Sequence, residues 1–261
     1  MFVIDKLAYS SKLRYKSPIL KVLFTLGSLL ICVAAGLFIV SAIILVVMAG
    51  LTLSSSKASF QRYIKLMCIP LGFLLLSTIA VMINITDAPM DLFSIDLGGK
   101  YLAVSYDSMK EAGRLVMVAM ASVSCLYFLT LTTPLIDILV VLQKLRCPKI
   151  MIELMMLIYR YIFVVLDMAS AIRTSQNCRL GNKDFITDLH SIGQMLSVLL
   201  IRSLKKSSQL FDAMESRCYN GEIHVLNEYY PAETRDTIFV TGFLLVLLTI
   251  AVFFTVEGGV F

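Results

Sequence analysis

"TIFVTGFLLVLLTIAVFFTV", residues 237–256, is an uninterrupted run of apolar and small residues without a single charge. A bilayer core is about 30 Å thick, and a helix crosses it with roughly 20 such residues at 1.5 Å each, because unpaired backbone polar groups are not tolerated in hydrocarbon. This run therefore reads as a membrane-spanning helix. Working outward from it, four more stretches qualify: Val22 to Ala35, Leu37 to Leu53, Leu66 to Ile85 and Met109 to Leu131. The first two meet at "AAG" and must form a tight hairpin, whose first arm takes extra length from Pro18 to Lys21. Five spans result.

Composition agrees. Of 261 residues, 58% are hydrophobic and 16% charged, where a soluble domain carries about a quarter charged. The net charge of +5 suits basic loops at an anionic membrane surface. No interleaved basic and aromatic face points to nucleic acid. The six cysteines include no CxxC pair, so they read as small core residues or free thiols rather than as a disulfide framework or zinc site. The start "MFVIDKLAYSSKLRYKSPIL" is too long and polar before its first apolar run for a cleaved signal peptide, and is expected to be retained.

Short basic loops stay cytoplasmic. Lys6, Lys12, Arg14, Lys16 and Lys21 precede or open the first span, and Lys57, Arg62 and Lys65 separate the second from the third. The loop between the third and fourth carries Asp87, Asp91, Asp96 and Asp107 against Lys100, and "EGGVF" after the fifth has no positive residue. The expectation is a multi-pass protein of the plasma membrane with its N-terminus inside and its C-terminus outside. Its parts are a membrane domain of four spans (1–131), a cytoplasmic domain (132–236), and a last span with an external end (237–261).

The stretches 150–166 and 189–201 lie in the middle segment and are apolar enough to suggest two more spans. Two features oppose that. Glu153, Arg160, Asp167 and Thr174 fall at every seventh position, a polar stripe along one helix face. The second stretch has only about a dozen uncharged residues between His190 and Arg202, which is too short to cross. Each long helical run instead ends in an arginine patch: "SQNCRLG" at 175–181 and "ESRCYNG" at 215–221. A small residue precedes each arginine, and Gly181 or Gly221 follows, placed to supply a left-handed helix stop. Such arginines can either satisfy the last helix carbonyls or project to a partner's carboxylates.

The segments "RYIFVVLDMASAIRTSQNCR" and "RSLKKSSQLFDAMESRCYNGEI", with the opening "IDKLAYSSKLRYKSPILKVLF", resemble the transmembrane T component of energy-coupling factor (ECF) transporters, most closely the cobalt subgroup CbiQ. The resemblance covers essentially the whole chain. It implies an all-α integral membrane protein with about five spans and cytoplasmic coupling helices, each ending in Ala-Arg-Gly or a small-Arg-small variant that docks into one of two ABC-type ATPase subunits. Carried onto this sequence, the motifs fall on Cys178, Arg179 and Leu180, and on Ser216, Arg217 and Cys218. Leu180 and Cys218 stand where glycine is common, which puts close backbone approach to the ATPase in doubt. The implied partners are two ATPases, a separate substrate-binding S component like CbiM, with or without a small accessory membrane protein, and membrane lipid. Cobalt is the implied cargo; nickel or a vitamin stays open, as does a membrane enzyme of another class.

Catalytic residues, cofactor and metal sites are not expected in this chain. It has no GxxxxGK[ST] phosphate loop, and "GGK" at 98–100 reads as a loop feature. His190 and His224 are isolated. The fourteen methionines suit helix packing, and Co²⁺ prefers nitrogen and oxygen ligands to thioethers.

Overall fold

The computed structural model describes residues 7–56, 60–82, 84–86, 93–96, 101–104, 106–221 and 233–257. Lys6, Lys57, Asp87, Asp91, Lys100, His224 and residues 258–261, on which parts of the sequence reading rest, lie outside them. Among the described residues, eight helices of ten residues or more are formed: α1 (Pro18–Ala35), α2 (Phe38–Ser55), α3 (Phe60–Met82), α4 (Tyr106–Thr132), α5 (Leu135–Lys144), α6 (Lys149–Cys178), α7 (Phe185–Glu215) and α8 (Thr234–Glu257). Five of them, α1 to α4 and α8, are long and apolar enough to cross a membrane. The protein is a helical integral membrane protein, as expected. One addition is a three-stranded antiparallel sheet between α3 and α4: β1 (Asn84–Thr86), β2 (Phe93–Asp96) and β3 (Tyr101–Val104), in the order β1-β3-β2. Ile85 and Ile95 both pair with Leu102 of the central strand.

The chain divides into two compact units, residues 2–138 with 229–261, and residues 139–228. The first holds the spans. Its α1 begins at Pro18, whose fixed φ suits a first helical position, and ends at Gly36 with φ 58° and an N–H donated to Cys32 O at 3.1 Å. That left-handed stop is the hairpin the sequence required.

In lipid, apolar residues gain little by meeting one another, so span association rests on close packing and on hydrogen bonds. Both are present. Phe24, Cys32, Val40, Ile44, Met48, Cys125, Phe128 and Leu247, from α1, α2, α4 and α8, form the core. A Cβ added at Gly27 would stand 2.9 Å from Leu244 Cδ2, so α8 approaches α1 where the glycine allows it. Buried hydroxyls bond within their own helix: Thr25 to Lys21 O, Ser28 to Phe24 O, Thr52 to Met48 O and Thr132 to Phe128 O.

The α3–α4 contact solves a local problem. Pro70 stands inside α3, so the carbonyl one turn before it, that of Leu66, has no helical N–H to accept. Tyr127 of α4 donates its hydroxyl to Leu66 O at 3.1 Å. Tyr63 and Ser124 share a second hydrogen bond between the same helices at 2.9 Å.

Candidate functional site

The second unit is built on α6 and α7, which run antiparallel and touch at both ends. At one end Arg173 Nη2 donates to Asp188 Oδ1 at 2.5 Å, Gln176 Nε2 to Ser191 O at 2.7 Å, and Ser191 Oγ to Gly181 O at 2.8 Å. At the other end Tyr219 donates its hydroxyl to Glu153 Oε2 at 3.1 Å. Partial desolvation, with the Glu153 carboxylate accepting and repelling beside it, raises the Tyr219 phenol above its ordinary range. Between the ends, Asp167 of the polar stripe lines a cleft of about 430 Å³ with Arg202, Lys205 and Lys206.

Both arginine patches have the same backbone. Arg179 caps α6, Leu180 follows with φ 57°, Leu180 N–H donates to Asn177 O, and Gly181 N–H reaches back to Gln176 O at 2.9 Å. Arg217 follows α7, Cys218 has φ 60°, Cys218 N–H donates to Glu215 O, and Tyr219 N–H reaches back to Met214 O at 3.0 Å. Each is a Schellman turn, with the arginine at the cap and the next residue left-handed. The expectation that Gly181 and Gly221 supply the left-handed stop is corrected: Leu180 and Cys218 occupy it. Gly181 is needed for space, since a Cβ there would lie 2.9 Å from Ser191 Oγ. Gly221 is left-handed too, with φ 93°, but lies beyond the turn.

The turns speak against one use of an arginine at a helix end, that of serving its last carbonyls. Their returning N–H groups already serve the terminal carbonyls, so the guanidinium groups are not required there. Arg179 and Arg217 are exposed, and among the described residues neither side chain makes a hydrogen bond or ion pair. Arg173, one turn and a half earlier, is by contrast committed to Asp188. Cys178, Leu180, Ser216 and Cys218 are exposed around them.

The structure does not bring the two triplets together. Tyr219 holds the second turn against Glu153, and from Glu153 to Arg179 the helix α6 rises about 40 Å. The patches therefore sit at opposite ends of the helical pair. His190 is exposed, and its Nε2 lies 3.1 Å from Gln194 Nε2. No group of three or more potential metal ligands occurs among the described residues. The positioning residues Arg173, Gln176, Asp188, Ser191 and Tyr219 went unmarked in the sequence. The only available signal was the opposite charge of Arg173 and Asp188 on either side of a predicted turn.

Residues 9–227 match the family described as CbiQ, cobalt transport protein. The chain belongs to the CbiQ family. It is a transport-related T component of the ECF type. An uncharacterized protein of Methanocaldococcus jannaschii is 33% identical over 250 residues, covering 95% of this chain and 92% of that one. A putative fused cobalt transport protein CbiMQ of Methanocorpusculum labreanum is 37% identical over 222 residues, 84% of this chain and 37% of the fusion. The cobalt transport protein CbiQ of Salmonella typhimurium is 25% identical over 227 residues, 85% of this chain and 99% of its own.

Proposed function

We propose that this CbiQ-family chain is the membrane scaffold and energy-coupling subunit of an ATP-driven cobalt importer, without catalytic activity of its own. Two ABC-type ATPases engage the α6 and α7 ends through Arg179 and Arg217. A CbiM-like membrane subunit carries the ion. The observation that supports this reading is the pair of matching turns, each presenting an uncommitted guanidinium, spaced too far apart for a single groove. A guanidinium fork suits bidentate contact with carboxylates. The fused CbiMQ relative favours a CbiM-like neighbour. In this reading residues 132–236 are cytoplasmic, the N-terminus is inside and the C-terminus outside.

Removing one partner of a buried charge pair costs about 2 to 5 kcal/mol. Arg217→Glu is therefore expected to weaken co-purification of the ATPases and abolish ATP-dependent cobalt uptake, with Arg179→Glu equal or milder. Arg235→Glu, at the start of α8, is the control that leaves ATPase binding in place. Membrane levels of each variant are measured alongside. If the Arg179→Glu, Arg217→Glu double variant still holds both ATPases and transports normally, the reading is wrong.

A further inference from the structure

Where α1 and α8 begin, the first unit contains a recess of about 180 Å³. Its walls are apolar and aromatic, with Phe24, Phe239 and Val240 among them, and its polar lining includes Lys16, Lys21 and Asp236. Lys21 is unusual for its place. It sits in the first turn of a spanning helix and is only 6% exposed, and a buried ammonium is costly unless its donors are used. Its ammonium donates to Thr132 O at 3.3 Å, at the end of α4. An ammonium has three donors, so two remain to be directed into the recess.

The surroundings favour an anion with an apolar tail. Asp137, which is not part of the lining, offsets part of the Lys21 charge. Lys16 stands at the rim, paired with Asp236, so two cations and one carboxylate line the recess. The N-termini of α1 and α8 both open here, and helix N-termini carry partial positive charge and unbonded N–H groups. We infer that the recess holds one anionic phospholipid, with its phosphate on Lys21 and Lys16 and the first part of an acyl chain along Phe24, Phe239 and Val240. A free phosphate would leave that apolar wall unused. The inference is independent of the transport reading.

The test uses the full chain in a mild detergent, with native mass spectrometry and thermal unfolding as readouts. Dioleoylphosphatidylglycerol, dioleoylphosphatidylcholine and inorganic phosphate are added separately. The expected result is one phosphatidylglycerol retained per chain, about tenfold in preference to phosphatidylcholine, whose phosphate is the same but whose trimethylammonium group is repelled by Lys16 and Lys21. It should be accompanied by thermal stabilisation that phosphate alone does not give. Lys21→Gln and Lys16→Gln should each reduce the preference, and Asp236→Asn should increase it. Lys16 is partly exposed, so its variant reports even where Lys21→Gln fails to fold. Equal retention of the two lipids, equal stabilisation by phosphate, or an unchanged preference in Lys16→Gln would each overturn the proposal.

Discussion

Leu180 and Cys218 occupy backbone positions that an L side chain enters at a cost of about 1 kcal/mol. Glycine avoids that cost, so the glycine in the Ala-Arg-Gly form of the motif implied by the resemblance has a conformational explanation here: it would be the left-handed residue of the turn. Cys218→Gly and Leu180→Gly are therefore each expected to stabilise the chain by up to about 1 kcal/mol, less the entropy glycine gains on unfolding. Thermal unfolding in detergent measures this, and a marked loss of stability in both variants would contradict the turn assignment. Tyr219, next in the chain, gives a pH expectation. Its phenol is raised in the folded state, so its hydrogen bond to Glu153 contributes fully below the ordinary tyrosine value of about 10 and is lost as pH climbs through the raised one. Difference absorbance between the wild type and Tyr219→Phe should place this titration above that of a free tyrosine, and the bond should be insensitive to pH between about 6 and 9.

Among the elements, α3 depends on a residue outside itself. Tyr127→Phe leaves Leu66 O, on a spanning helix, without a donor, at a cost of about 1 to 2 kcal/mol. Pro70→Ala restores the helical N–H that would serve the same carbonyl. A double-mutant cycle should then show Tyr127→Phe costing much less in the Pro70→Ala background. Equal costs in both backgrounds would separate the tyrosine from the proline. The elements also show which features were legible in sequence. The spans were, because mean hydropathy over 20 residues is a local property, and "AAG" announced the α1–α2 stop because Gly36 had to turn left-handed. The three strands were not, because β1 to β3 are three or four residues each, shorter than any period-2 pattern can establish. Nor was the role of Tyr127, because the pairing with Leu66 joins residues 61 apart. At the candidate site, the place of the arginines at helix ends was legible, whereas the turn geometry was not, because a leucine and a cysteine hold dihedrals that sequence reasoning reserves for glycine.

For the whole molecule, the arrangement of lysine and arginine sets the expected topology. Single cysteines replacing Ser94 and Ser207 in a cysteine-free background should label from opposite sides of the membrane, and labelling of both from outside would reverse the assignment. The purified chain alone should bind no nucleotide analogue, since it lacks a phosphate loop; stoichiometric binding, read by equilibrium dialysis, would contradict the proposed non-catalytic role. A mechanical consequence follows from the separation of the two arginine turns by nearly the full length of α6. Pushes in the same direction at Arg179 and Arg217 translate the helical pair, whereas opposed pushes form a couple and rotate it about its middle, near Asp167 and Lys205. Two motors acting in unison and two acting in alternation would thus drive different strokes through the same pair of contacts.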